Sequence, residues 1–278
     1  MISTRSKSGT TWLQAVCLVL VLQTPDLPAP LGTLSPWLDW LARPRDEVVA
    51  QLTAQRHRRV IKTHTPLDGL PLEERATFVV VGRHPLDVAV SLYHQGQNID
   101  RARLAEVTGQ PRPVSPPPPR PPRRDWLLGW VDWDGDPRAP GNLDTLPGVF
   151  LHLNDAWARR HAPNVVLVHY DELSRHLDAA MRRLAARLGI AVDAPRWPAL
   201  VQAVTFDSMR RHAARLVPDT HGVLRDPAAF FRHGVSGEGR RELGAAGTAR
   251  YEARAAALAP ADLRAWLHGG PAAGTAPV

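Results

Sequence analysis

Two apolar runs, each followed at once by a helical pattern, constrain the fold of this 278-residue chain more than any other feature. Residues 77–82 and 164–170 are rich in Val and show no sustained alternation of polar and apolar side chains. Continuous apolar runs of this length are typical of strands buried on both faces of a parallel sheet. The sequence therefore predicts an α/β fold of three α/β/α layers with a central parallel sheet.

The beginning of the chain indicates the same strand–loop–helix order. Residues 1–4 predict a short first strand, residues 7–9 a loop, and residues 10–22 a largely buried helix. The apolar part of this helix follows Arg5 and Lys7, as the apolar region of a signal peptide would. No A-x-A-like cleavage site follows it, which favours a core helix.

Further helices are predicted over residues 44–55, from Pro85 onward, and from the end of the second apolar run to Gly189. Residues 59–62 predict one more short strand.

We expect one domain over residues 1–278. Residues 110–124 include eight prolines between positions 111 and 122, which excludes sheet pairing and predicts an extended surface loop or lid. The tail, residues 269–278, is expected to fray.

The charge balance suggests an anionic partner, although dispersed surface arginines would give the same balance. The formal net charge is +7, and only Lys7 and Lys62 among the 34 basic residues are lysines. Lys and Arg are not interchangeable where a compact ammonium must reach one oxygen atom. The single cysteine, Cys17, excludes an intrachain disulfide and fits the cytoplasm.

The first chemical motif is the glycine-containing loop that enters the first helix. Backbone N–H groups at a helix N-terminus bind anions, and a lysine adds a full positive charge. This loop is not a Walker A motif. Its candidate residues are Lys7, Ser8, Gly9, Thr10, Thr11 and Trp12.

Two later motifs also place basic side chains where predicted strands end. Lys62 and His64 stand two residues apart, so they face the same side of an extended chain. The histidine has the pKa range for taking a proton near neutrality. Arg83 follows the first apolar run, at the sheet edge where open α/β folds bind ligands, and Ser91 lies two turns into the next helix.

These three segments, in this order, resemble the PAPS-dependent cytosolic-type sulfotransferases, where PAPS is 3'-phosphoadenosine 5'-phosphosulfate. The segments are similar to that family's 5'-phosphosulfate loop, catalytic segment and 3'-phosphate segment. Weaker similarities extend to about residue 240. They implicate Tyr170, Thr205, Phe206 and Met209 near the adenine, and Arg232, His233 and Gly234 in a loop over the 3'-phosphate.

The chain also departs from the family pattern. Arg5 and Ser6 stand where the family usually has Tyr-Pro, which predicts an altered pocket rim. His233 replaces a lysine, residues 238–240 replace Asp-Trp-Lys, and Val204 replaces a threonine.

The resemblance implies a P-loop-like fold and a transfer of the sulfuryl group from PAPS to a hydroxyl or amine of a small-molecule acceptor. His64 would remove the acceptor's proton, and Lys62 and Lys7 would offset charge on the leaving phosphate during in-line displacement. No metal, nucleic acid or integral membrane segment is expected. Residues 95–145 are expected to cover the acceptor site, with Trp126, Trp130 and Trp133 either lining it or packing the lid.

Three alternatives stay open on the sequence. A P-loop kinase would need magnesium ligands and a Walker-type lysine. An inactive nucleotide-binding or scaffold protein would bind adenosine 3',5'-bisphosphate (PAP), transfer nothing, and hold partners through its proline-rich segment. A nucleic-acid binder would need a recognised motif, whereas the arginines are dispersed.

Overall fold

The computed structural model describes residues 1–111, 119–139, 141–218 and 221–269, and these contain one four-stranded parallel sheet. The strand order is β2-β1-β3-β4. Most of the proline-rich loop and the end of the predicted fraying tail lie outside the described residues. The strands are β1 (Ile2–Ser3), β2 (Lys62–Thr63), β3 (Phe78–Gly82) and β4 (Val165–His169).

Helices connect the strands and cover both faces of the sheet. Together with short turns of 3-10 helix, they account for most of the described chain. The helices are α1 (Thr10–Leu22), α2 (Leu31–Leu34), α3 (Arg45–Ala54), α4 (Pro85–Asn98), α5 (Arg101–Thr108), α6 (Arg123–Asp132), α7 (Leu146–Ala158), α8 (Tyr170–Arg175), α9 (Leu177–Arg187), α10 (Trp197–Ala203), α11 (Phe206–Arg211), α12 (Ala213–Leu216), α13 (Glu238–Leu258) and α14 (Ala261–Gly269).

The alternating sides of β3 and β4 build two separate cores. Val79 and Val81 face the core that contains most of α1. Phe78 and Val80 face the opposite core, which is filled by α4, α7 and α13 among others. Because both faces of β3 and β4 are apolar and covered, the sequences of these strands are continuous apolar runs. The predicted three-layer fold with a central parallel sheet is confirmed.

All four strands point the same way, so their carboxyl ends meet at one edge. β1 leads into the loop before α1, β3 leads into α4, and β4 leads into α8. The motif residues that follow these strands are therefore brought to one place, as expected for an open parallel sheet.

Most predicted elements agree with the structure, with two differences in their bounds. The strand predicted over residues 59–62 is β2 (Lys62–Thr63), and the loop predicted over residues 110–124 ends where α6 begins at Arg123. One prediction is wrong. α1 has the predicted bounds, and its apolar side chains, including Cys17, are buried in the core. The single helix predicted to end at Gly189 is instead two helices, α8 and α9. They are separated at His176, whose backbone leaves the helical region. No helix of the described residues is long and apolar enough to cross a membrane.

Candidate active site

A cavity of about 320 Å³ opens at the carboxyl edge of the sheet and gathers nearly all the predicted site residues. A second cavity of about 630 Å³ adjoins it and shares part of its lining. Ser8 and Thr205 do not line either cavity, and the Thr205 hydroxyl instead caps α11 by accepting from the Ser208 N–H. The predicted residues that line the first cavity are Lys7, Gly9, Thr10, Thr11, Trp12, Lys62, His64, Arg83, Ser91, Tyr170, Phe206, Met209, Arg232, His233 and Gly234.

The loop before α1 needs a glycine for two independent reasons. Gly9 has φ +101°, a region that favours glycine, and a Cβ at this position would lie 2.9 Å from the Tyr170 ring. Gly9 is also the N-cap residue of α1, whose first N–H groups have no side-chain cap and whose first three residues line the cavity. This arrangement suits an anion at the helix N-terminus.

Both lysines of the chain line this cavity, Lys7 from the loop after β1 and Lys62 from β2. The Lys7 ammonium lies 4.1 Å from the Phe230 ring centroid, and that of Lys62 lies 3.6 Å from the Trp37 ring centroid. Burial, with Arg83, Lys62 and Arg232 nearby, lowers the pKa of Lys7 to about 7. Burial likewise lowers the pKa of Lys62 to about 7. Each ammonium would therefore gain strongly from an anionic ligand.

His64 is held in the tautomer that suits a base. Its Nδ1 lies 2.5 Å from the carbonyl oxygen of Thr4. A carbonyl oxygen only accepts, so Nδ1 carries the proton, and in the neutral ring Nε2 has a free lone pair. Burial, followed by Lys62 and Arg5, lowers the pKa of His64 well below its usual value. The ring is thus neutral at pH 7.

Asp39 anchors the segment that carries His64, a role that no sequence motif indicated. Its carboxylate accepts from the His64 N–H at 2.9 Å and from the hydroxyls of Thr63 and Thr65, both at 2.8 Å. Trp37, two residues earlier, pairs with Lys62 in a parallel bridge and packs edge-on against the His64 ring.

The edge beyond β3 carries a second group of cations. Arg83 donates to the Lys7 carbonyl at 2.8 Å and lies over the Tyr170 ring at 4.2 Å. Arg232 forms an ion pair with Glu238 through both guanidinium NH groups, one of them at 2.9 Å. Ser91 lines the same region from α4.

An apolar pocket lies at the α1 side of the cavity. The Trp12 ring stands edge-on to Tyr170, and its Nε1–H donates to the carbonyl of Val204 at 2.7 Å. Because the backbone of Val204 makes this bond, the loss of the family's threonine hydroxyl does not affect it. Gly234 has φ +67°, and a Cβ there would lie 2.7 Å from Phe206.

Several lining residues were not among the predicted ones. Trp37, Trp40 and Asp144 line the cavity. Trp126, Trp130 and Trp133 do not, which agrees with the packing alternative: Trp130 is buried and donates to the Asp144 carbonyl, whereas Trp126 packs on Tyr93. Within the described ranges, no group of three or more His, Cys, Asp or Glu side chains is arranged to hold a metal ion.

Comparison with known proteins decides the family. The family model described as "Sulfotransferase domain" matches residues 1–255. The chain belongs to the sulfotransferase family. A glycolipid sulfotransferase of Mycobacterium bovis is 42% identical over 97% of this chain and 88% of its own length. Sulfotransferase 1A1 of Canis lupus familiaris is 25% identical over 91% and 80%. The predicted family and enzyme class are therefore confirmed.

Solved structures share the fold of this sulfotransferase. Retinol dehydratase in complex with androsterone and the inactive cofactor PAP superposes with a TM-score of 0.71 at 20% identity, covering 92% of this chain and 79% of that one. Mouse sulfotransferase SULT7A1 complexed with PAP gives 0.67 at 18% identity, covering 97% and 88%. The predicted P-loop-like architecture is confirmed by these similarities.

Proposed function

We propose that this sulfotransferase uses PAPS as its donor and transfers the sulfuryl group to a hydroxyl of a small-molecule acceptor. The observation that carries the proposal is the convergence of Lys7, Lys62 and His64 on one cavity from two separate chain segments. PAP is present in both structural relatives, which supports an adenosine bisphosphate nucleotide in this chain.

The cavity fits the parts of that nucleotide. The N-terminus of α1 and Lys7 would hold the 5'-phosphosulfate, and Arg83, Ser91 and Arg232 would hold the 3'-phosphate. Trp12 and Phe206 offer aromatic faces for the adenine, with Tyr170 beside them.

The proposed reaction is an in-line displacement at sulfur. The acceptor's oxygen forms the new S–O bond while the bond between sulfur and the bridging oxygen of the phosphate breaks. His64 Nε2 takes the acceptor's proton, which its neutral state and its bond to the Thr4 carbonyl allow. Lys7 and Lys62 offset the negative charge that develops on the leaving phosphate oxygen.

The acceptor is proposed to combine a hydroxyl with an apolar part. Trp37 and Trp40 stack at 4.6 Å on the wall next to His64 and provide an apolar surface. The relative at 42% identity is a glycolipid sulfotransferase, which supports a glycolipid-like acceptor here. We further propose one domain, a cytoplasmic location, and catalysis without a metal ion or a nucleic-acid partner.

The assay of choice measures the transfer of labelled sulfate from PAPS to a panel of alcohols, phenols, amines, glycans and glycolipids. The variant His64→Ala should lower kcat about 10²–10⁴-fold, as the loss of a general base does. Its affinity for PAP, measured by calorimetry, should stay within about threefold, because the ring is not among the proposed nucleotide contacts.

The matched control is His161→Ala, which removes a surface histidine that does not line the cavity. This control should keep wild-type kcat. Turnover of His64→Ala within about threefold of wild type would contradict the assignment of His64 as the base. An absence of PAP binding to the wild-type protein would contradict the assignment of PAPS as the donor.

A further inference from the structure

A partly buried ion pair in the cavity wall has no part in the proposed transfer step. Arg5 is only 5% exposed, and its guanidinium donates to the carboxylate of Asp144 at 2.7 Å. The same guanidinium donates from its other NH group to the backbone carbonyl of His64. One rigid side chain thus fixes Asp144 beside the segment that carries the proposed base.

Asp144 is the one acidic side chain in the described lining of the first cavity, where four Lys and Arg side chains also lie. Its side chain is 38% exposed, so part of the carboxylate faces the cavity. Burial alone would raise the pKa of Asp144, but Arg5 and a hydrogen bond from Ser6 outweigh this and lower it. Asp144 is therefore ionised at pH 7 and accepts hydrogen bonds rather than protons.

The remaining hydrogen-bonding capacity of Asp144 has no use on the donor side. The sulfuryl and phosphate groups of PAPS are anionic, and a carboxylate repels them. A carboxylate has about four lone-pair sites, of which Arg5 and Ser6 use only part. The sites that face the cavity suit a hydrogen-bond donor on the acceptor molecule.

The charges of the cavity narrow the chemistry of that donor group. An anion on the acceptor would be repelled by Asp144. A neutral hydroxyl avoids this repulsion and donates to the carboxylate. The reacting hydroxyl lies at His64, so the group bound by Asp144 is a neighbouring hydroxyl.

We propose that Asp144, held in place by Arg5, selects acceptors that carry a second hydroxyl next to the one that is sulfated. The inference rests on the proposed sulfuryl transfer to a hydroxyl. It names a specificity-determining residue at a place where the chain departs from the family pattern, because Arg5 and Ser6 replace the usual Tyr-Pro.

The test compares two acceptors that differ by one hydroxyl, 1,2-octanediol and 1-octanol, with labelled PAPS as donor. Wild-type protein should show a kcat/KM about tenfold or more higher for the diol, the size expected for a hydrogen bond to a charged group. Asp144→Asn should bring the ratio close to one by lowering kcat/KM for the diol and leaving that for octanol nearly unchanged. Asp144→Glu, which keeps the charge, should restore part of the preference.

The controls separate the possible failures. Asp193→Asn removes one carboxylate whose side chain is 81% exposed and should keep the wild-type ratio. PAP affinity of each variant, measured by calorimetry, establishes that the nucleotide site is intact. A wild-type kcat/KM ratio near one, or an equal loss of kcat/KM for both acceptors in Asp144→Asn, overturns the role of Asp144 and leaves the proposed function standing. Absence of transfer to either acceptor and to the full acceptor panel overturns the proposed function together with it.

Discussion

At the scale of single residues, the two lysines show why this chain keeps ammonium groups at two positions and arginine elsewhere. Both lie in the cavity lining, and burial lowers the pKa of each to about 7. An arginine would stay charged in the same place, since its pKa is above about 12. A lysine instead gains its proton when an anion arrives, so its charge is coupled to the binding of the nucleotide.

We therefore expect PAP binding to take up protons at pH 8. The free lysines are largely neutral there, and the bound phosphates raise the pKa of Lys7 and Lys62 toward the ordinary value. Affinity should fall as pH rises above about 7, by up to about tenfold per unit for each lysine that takes a proton. Calorimetry in two buffers with different ionisation enthalpies measures the uptake. Lys62→Arg should reduce it, and equal binding enthalpies in both buffers for wild type would contradict this coupling.

The sequence predicted the residues that lie within motifs and missed those that act from elsewhere in the chain. Lys7, His64 and Arg83 follow strands of a parallel sheet and Lys62 lies in one, so the strand pattern alone brings them to one edge. Asp39 binds the His64 N–H from 25 residues away, through a short parallel bridge that has no sequence signature.

At the scale of elements, the start of α4 holds a segment of the cavity wall, residues 230–235, in place. Asp87, in the first turn of α4 and 3% exposed, accepts from the backbone N–H groups of Gly237 at 2.8 Å and Gly239 at 3.0 Å. This contact fixes the beginning of α13, directly after the segment that carries Phe230 and Arg232 into the cavity lining. Docking of two helix N-termini thus positions side chains proposed to contact the nucleotide.

Asp87→Ala should therefore weaken nucleotide binding although Asp87 does not line the cavity. Two backbone donors would lose their acceptor, at a cost of about 1–3 kcal/mol for each that stays buried. We expect PAP affinity to fall about tenfold or more in calorimetry, with a lower midpoint of urea unfolding.

The matched control is Asp178→Ala, which removes a half-exposed acid from the first turn of α9. It should leave PAP affinity unchanged. Wild-type affinity in Asp87→Ala would show that residues 230–235 of the cavity wall hold their position without this contact.

Long apolar elements were predictable at this scale, whereas breaks within helices were not. The bounds of α1 follow from its apolar composition and the preceding Gly9. The break between α8 and α9 falls at His176, and no proline or glycine near this residue in the sequence marks the break.

At the scale of the whole molecule, the layers bury histidines that the proposed reaction does not use. His152 on α7 is fully buried and lies 3.3 Å from the Ser3 hydroxyl of β1. His84, at the start of α4, is 7% exposed and stacks on His268 of α14. Burial lowers the pKa of both His152 and His84 to about 3. Sequence alone could not separate these histidines from His64, because only the packing of the layers determines which rings face a cavity.

These buried rings predict that the protein loses stability in mild acid. In the unfolded chain a histidine has a pKa of about 6.5, so below that pH the unfolded state binds protons that the folded state excludes. The free energy of unfolding should therefore fall as pH decreases from about 6.5 toward about 3, by about 2 kcal/mol per histidine between pH 7 and pH 5. Urea unfolding at these two pH values measures the fall.

His152→Gln should reduce that fall by about the amount assigned to one histidine, even if its stability at pH 7 is lower. The comparison uses the difference between the two pH values, which a general loss of packing would not alter. His161→Gln, at an exposed position, should retain the full wild-type pH dependence. An unchanged difference in His152→Gln would mean that the ring is protonated without cost in the folded state, contrary to its burial on α7 against β1.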